Sequence, residues 1–302
     1  MTNAHTSAHL RGAIYGIGAA SIWGGMYVVS DELLKVYPAF VLLGIRLFIG
    51  AITLLVLGRL TSAPLPASRA DLFKLLGVGI VGFGISVGAQ FVGTQLSTAI
   101  NGAVLTSASP AFILIFAALL LREPLTLRRI AAVGLASVGV LVVLDLSQFQ
   151  LTGGNGGSDL LVGNLTLVFA ALTWGAYSVL VRQASSKYPT LTVTTFALVG
   201  GLGFCLPLGL FELRDTSLPL LTFNHLLGIL YLGVVSTAGA MWLWNRAFAL
   251  VEASTASLFF FAQPLVGAIL SNLLLSQAIT PQLVIGGSLI ALGVLIALTE
   301  PG

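Results

Sequence analysis

Arg46 is the residue that asks most of its surroundings. It stands about seven residues inside an apolar run, roughly 10 Å below the end at 1.5 Å per residue. A charge at that depth costs several kcal/mol unless it is paired or hydrated. One reading makes Arg46 the contact for a solute carboxylate. The other makes it a structural arginine that snorkels outward or pairs with Asp31 or Glu32. Aromatic residues come next. Trp23 and Tyr27 are four apart and share a helix face, and Trp174 and Ser178 repeat the spacing with Tyr177 alongside. They sit well inside apolar runs, away from the interfacial belts where Trp and Tyr collect. They can line a cavity and stack on a solute, or pack helices together with help from Gly24, Gly25 and Gly175. Trp242 and Trp244, beside Arg246, read as belt residues.

Gln90, Asn101, Tyr231, Asn245 and Gln263 are uncharged hydrogen-bonding groups in or near apolar runs. Each needs a partner or water. Any one could bridge two helices; together they suit a cavity for a polar or zwitterionic solute. Pro110 and Pro264, preceded by Thr106, Ser107 and Ser109 and by Gln263, are candidate hinges, because proline removes a helical hydrogen bond. Gly84 and Gly88 fit the small-xxx-small spacing of closely packed helices.

Other chemistries find no residues to carry them. The single cysteine, Cys205, excludes an internal disulfide and a cysteine metal cluster. His5 and His9 lie in the polar tail and His225 at a loop edge, with no paired-His spacing, so no metal or other cofactor is expected. No GxxxxGK[ST] occurs. Gly84-Ile85-Ser86-Val87-Gly88 matches G-x-S-x-G, but a nucleophile elbow needs a strand–turn–helix and a histidine base. No catalytic residue is assigned and no enzyme is expected. The acids Asp31, Glu32, Asp71, Glu123, Asp145, Asp159, Glu212, Asp215, Glu252 and Glu300 fall at or outside the ends of the runs. A proton relay usually needs an ionisable group within the membrane. The expectation is therefore movement of solute down its own gradient without an acidic relay, with Glu123 and Glu32 as fallback proton sites.

The elements that must hold these residues follow from composition. Of 302 residues, 57% are hydrophobic and 8% charged, and the mean hydropathy is +1.04. Soluble domains carry about 25% charge. A soluble globular enzyme and a disordered chain are excluded, and a net charge of +3 is no nucleic-acid signature. Crossing the bilayer takes about 20 apolar residues. Ten such runs are readable: 12–30, 39–58, 72–93, 99–121, 128–145, 160–181, 191–211, 225–245, 254–275 and 282–299. They are continuous and lack the alternation of barrel strands. The first reads as a retained span rather than a cleaved signal. With the N-terminus in the cytoplasm, ten Lys and Arg fall on that side and two (Lys35 and Arg214) on the other, so both termini come out cytoplasmic.

The halves resemble each other. AASIWGGMYVV surrounds Trp23 and AALTWGAYSVL surrounds Trp174, 151 residues later; Tyr37-Pro38 and Tyr188-Pro189 share that offset. Pro110 and Pro264, Thr126 and Thr280, and Gly139 and Gly293 are 154 apart. Repetition at a nearly constant offset marks an internal repeat. Arg46 has no counterpart, Ala197 taking its place. Five spans per repeat is an odd number, so the second copy enters from the opposite side. The expected fold is an all-α polytopic membrane protein of ten transmembrane helices in two inverted five-helix repeats, 1–150 and 151–302. Inverted repeats are the architecture of alternating access in secondary transporters, and channels use them too.

The sequence resembles the EamA family of the drug/metabolite transporter superfamily over essentially its whole length. The likeness rests on Trp23-Gly24 and Trp174-Gly175, on Arg46-Leu47-Phe48, and on Leu121-Arg122-Glu123-Pro124-Leu125-Thr126 followed by Gly134 and Gly139. Gln277 stands where the first copy has Glu123. The resemblance implies a ten-helix exporter of amino acids or related metabolites in a bacterial inner membrane, with a cavity lined mainly by spans 1, 3, 4, 6, 8 and 9. The expected substrate-binding set is Trp23, Tyr27, Arg46, Gln90, Asn101, Trp174, Tyr177, Tyr231 and Gln263. Few charges and many aromatics favour hydrophobic or aromatic amino acids. A passive channel or facilitator for small polar solutes, or a proton-coupled drug/metabolite antiporter, is the alternative. The expected partners are the small-molecule substrate and the lipid bilayer, with no nucleic acid; a homodimer stays open.

Overall fold

The structure is a computed structural model and describes residues 2–97, 99–143, 158–214, 216, 218, 220–263, 265–266 and 281–298. Among these there is no strand, as expected of a chain whose backbone polar groups must be satisfied within each segment. The helices are α1 (Thr2–Leu34), α2 (Ala39–Leu60), α3 (Arg69–Leu96), α4 (Ala99–Thr106), α5 (Ser109–Phe116), α6 (Leu127–Val143), α7 (Ser158–Ser185), α8 (Thr190–Glu212), α9 (Phe223–Leu250), α10 (Ala253–Ser257) and α11 (Pro281–Leu298). Among the described residues, six stretches are long and apolar enough to cross a membrane: α2, α3, Val104–Leu121, α7, α8 and α9; Val284–Ala297 of α11 is apolar but shorter. Within the run at 254–275, residues 264 and 267–275 lie outside the described residues, as does 144–157 between the halves.

Local chemistry sets the helix ends. Pro38 and Pro189 occupy the N-cap positions of α2 and α8. Ser68 caps α3 by accepting from the Asp71 N–H, and Thr222 caps α9 by accepting from the His225 N–H. The expected span 99–121 is broken at residues 107 and 108, where a turn separates α4 from α5. Pro110 falls in the first turn of α5, where its missing N–H is not needed. The Ser107 and Ser109 hydroxyls donate to the carbonyls of Val104 and Thr106 that the break leaves free (2.6 and 2.7 Å). Pro110 therefore ends one helix and starts the next instead of bending a continuous one. Pro264 lies outside the described residues.

Among the described residues three stretches form a wide π turn; one, Ala117–Leu121, directly follows α5, and the other two lie inside long helices. Ile80–Ser86 interrupts α3 and Tyr231–Gly239 interrupts α9, and the two begin 151 residues apart. The packing pairs match under the same offset. The C-terminal half of α9 packs on α1, and that of α3 on α7; α2 packs on α8, and α6 on α11. The α6–α11 contact is close enough to exclude side chains: a Cβ on Gly139 would lie 2.7 Å from the Gly286 carbonyl oxygen, and one on Gly286 would lie 2.5 Å from that of Gly139. Small residues at such a contact are how helices associate in lipid. The core between the halves holds Trp23, Phe83, Trp174, Tyr177, Trp244, Phe248 and Phe259. Large apolar residues such as Phe48, Leu119 and Leu206 face outward, as a lipid-facing surface requires.

Candidate functional site

A narrow cavity lies where the two halves meet. Trp23 and Met26 reach it from α1, Ser86, Val87, Gln90 and Phe91 from α3, and Thr106 and Ser109 from the α4–α5 break. Ala170, Ala171 and Trp174 come from α7, Met241 from α9, and Phe260 and Gln263 from the segment after α10. Arg46 of α2 completes the lining. Space open to water centres is about 50 Å³. One water needs roughly 10–15 Å³ of such space, so the cavity as it stands has room for a few waters. The described lining contains one cation, no carboxylate and no histidine.

Arg46 is 2% exposed, so outward snorkelling is excluded. Its Nε donates to Thr237 Oγ1 at 2.9 Å and its Nη2 lies 3.4 Å from Met26 Sδ. Glu32, one of the carboxylates expected to pair with it, is at the surface and bonded to Lys35. The Asp31 side chain lies outside the described residues. The two repeated tryptophans meet edge-on, ring centroids 5.8 Å apart. They differ in their polar handles. Trp23 Nε1 donates to the Ser236 carbonyl at 3.1 Å, whereas buried Trp174 Nε1 has no hydrogen-bond partner.

Of the expected binding set, Trp23, Arg46, Gln90, Trp174 and Gln263 converge on the cavity. Three others do not line it. Asn101 Nδ2 donates to Asn164 Oδ1 (2.8 Å), an oxygen that also accepts from Ser97 Oγ (2.6 Å). Tyr177, fully buried, is hydrogen-bonded to Asn245 at 3.1 Å, and Asn245 Nδ2 donates to Thr194 Oγ1 at 2.9 Å. Tyr231 donates to the Ile22 carbonyl at 2.8 Å and ties α9 to α1. Their polar groups are satisfied by other helices, the other use open to a polar residue in a span. The Tyr27 side chain lies outside the described residues. Trp244 also departs from expectation. It is fully buried, 5.3 Å from the Trp23 ring and 4.9 Å from Phe248, so it is core and not belt; Trp242 meets Tyr15 edge-on instead.

Sequence reasoning missed several lining residues for which a signal existed. Gln90 and Met241 are 151 apart, and Thr106 with Phe260 and Ser109 with Gln263 are 154 apart; all six line the cavity. Applying the repeat offset to each polar candidate would have found them. Three of the carboxylates are used at helix ends. Glu212 accepts from the Phe40 and Val41 N–H groups (2.9 and 3.0 Å). Asp71 accepts from Lys187, Tyr188 and Ser68. Glu123 accepts from the Ala253 and Ser254 N–H groups and the Ser254 hydroxyl, beside Arg129 and Arg182, while Arg129 also bonds Glu252. No group of three or more metal-ligating side chains occurs among the described residues.

The sequence profile of the EamA-like transporter family matches residues 10–145 and 161–299. An uncharacterized transporter of Bacillus subtilis (strain 168), YetK, is 28% identical over 271 residues, covering 88% of this chain and 80% of that protein. An uncharacterized transporter of Archaeoglobus fulgidus is 32% identical over 235 residues, covering 76% of this chain and 79% of its own length. A solved crystal structure superposes with a TM-score of 0.77 over 95% of this chain and 96% of its own, at 20% identity, a likeness of fold.

Proposed function

The chain belongs to the EamA-like transporter family, and on that premise we propose that it exports amino acids, hydrophobic or aromatic ones first, by alternating access between two inverted five-helix repeats, 1–150 and 151–302. One observation carries the reading: a buried cation, Arg46, opens onto a cavity walled by Trp23, Trp174, Phe91 and Phe260. A guanidinium takes a carboxylate through paired N–H groups. Aromatic walls take an apolar side chain. Gln90 and Gln263 supply acceptors for an ammonium group. The inverted arrangement of ten spans is supported by helix pairings that match under the 151-residue offset and by the two π turns in register. Exchanging the two packings around a central site is the means by which such repeats alternate their access. The distribution of Lys and Arg supports cytoplasmic termini, and the bacterial relative supports an inner-membrane location.

Transport proceeds down the solute gradient or by exchange, since the described lining offers no carboxylate or histidine to carry a proton. Counterflow in proteoliposomes tests this. Labelled amino acid entering vesicles preloaded with the unlabelled compound, at equal rate with and without a pH gradient, is the expected result. Strict dependence on the gradient would refute it, and entry without trans-stimulation would make the protein a channel.

A further inference from the structure

We infer that Thr237 is the positioning residue that makes the cavity select a carboxylate-bearing solute, by holding the Arg46 guanidinium in place. The inference rests on the reading of Arg46 as the carboxylate contact and adds what fixes its aim. Thr237 lies on the π turn of α9, a rare geometry common at functional sites. Two consecutive residues of that turn each hold a residue of the cavity lining. The Ser236 carbonyl accepts from Trp23 Nε1 (3.1 Å), and Thr237 Oγ1 accepts from Arg46 Nε (2.9 Å). Thr237 is fully buried and its methyl is wedged. A Cβ on Gly50, one helical turn beyond Arg46 on the same face of α2, would lie 2.7 Å from Thr237 Cγ2. The methyl against Gly50 fixes χ1, and a fixed χ1 aims the hydroxyl oxygen at Nε. With Nε engaged, the planar fork turns about a held edge, and its terminal amino groups are set for a carboxylate.

The other half shows what the same place does without a cation. Ser86 stands 151 residues before Thr237, on the π turn of α3, and its hydroxyl donates to the Ala170 carbonyl at 2.8 Å. Ala197 stands 151 residues after Arg46. Cation and holder are thus present together in one copy and replaced together in the other, as a working pair would be.

The test compares L-phenylalanine with L-phenylalaninamide, which keeps the ring and the ammonium and lacks the carboxylate. Both are titrated against full-length protein in detergent, with intrinsic tryptophan fluorescence as the readout. Wild type is expected to prefer the acid. Thr237→Val keeps the wedge and loses the acceptor; its affinity for the acid falls on the order of tenfold while that for the amide holds. Thr237→Ser keeps the acceptor and frees χ1 among three wells, costing the acid at most about threefold. T237V with wild-type preference overturns the proposal, and so does a fall in acid and amide together, which is the mark of a merely structural role. Should T237V fail to fold, T237S weakening acid and amide alike overturns it equally. Arg46→Ala separates the two levels. If R46A keeps the acid preference, or if wild type shows none or binds neither probe, the reading of Arg46 itself falls. If R46A loses the preference while T237V retains it, only the role of Thr237 falls.

Discussion

Replacing Glu123 by glutamine changes one atom in a packed junction, and the geometry gives the cost. Arg122 adopts a left-handed conformation (φ 58°) that reverses the chain after α5 and presents Glu123 to the start of α10. Oε1 accepts from the Ala253 N–H at 2.8 Å and lies 3.4 Å from Arg182 Nε. Oε2 accepts from the Ser254 N–H at 3.1 Å and the Ser254 hydroxyl at 2.8 Å, with Arg129 Nη1 at 3.9 Å. The side chain is 9% exposed, so water replaces few of these contacts. An amide has one acceptor. Its better orientation sets the NH2 at the Oε2 position, where the Ser254 hydroxyl can turn to accept but the Ser254 N–H is orphaned. An orphaned buried donor costs about 1–3 kcal/mol. The lost charge adds to this, moderated because Arg129 keeps Glu252 and Arg182 keeps the Phe248 and Val251 carbonyls. The expected loss is about 3 kcal/mol, read as a lower melting temperature of the detergent-solubilised protein by tryptophan fluorescence. Glu123→Ala should fall at least as far. E123Q melting with wild type would refute the reasoning, because it would mean that the junction does not distinguish a carboxylate from an amide.

Two further outcomes follow from particular contacts. Trp23→Phe removes a made hydrogen bond and leaves the Ser236 carbonyl without it, whereas Trp174→Phe removes a donor that has no partner. In the same melting assay W23F should therefore be less stable than W174F by about 1 kcal/mol, and equal melting would contradict the assignment. Lys187, between α7 and α8, has its pKa raised above the ordinary 10.5, first by its hydrogen bond to Asp71. A raised folded-state pKa in a base contributes stability that is complete below the unfolded value and lost as pH rises through the folded one. Wild type should lose melting temperature above pH 10.5 more steeply than Lys187→Met; parallel curves would remove the ion pair from the account.

The sequence was most legible where one helix was enough. Continuous apolar runs bounded by Arg59 or Pro189 become helices whose ends lie within a few residues of the expected ones, because hydrocarbon length and backbone satisfaction leave little choice. Trp23 and Trp174 were legible as a pair because their offset survives the drift of everything around them. Contacts between helices were less accessible. Asn101 and Tyr231 looked like cavity residues because a polar group in a span must be satisfied somewhere, and sequence does not say whether by solute or by neighbour. Asn164 and the Ile22 carbonyl answer that. Trp244 was misplaced for a related reason: closeness to Arg246 suggests an interface, but the ring turns inward onto Trp23. Thr237 was invisible, since its bond to Arg46 spans 191 residues and depends on a π turn that no composition signals.

Those wide turns have a practical consequence for anyone mapping the protein by single substitutions. A π turn inserts about one residue, which advances the helix face by roughly 100°. In α3 the residues before Ile80 and those after Ser86 therefore follow two different stripes, and in α9 the same break falls between Leu230 and Ala240. Labelling of successive cysteines along either helix will trace one periodic wave, lose step across the turn, and resume out of phase. A wheel drawn with a single uniform pitch through Gln90 or Met241 would put both on the wrong side.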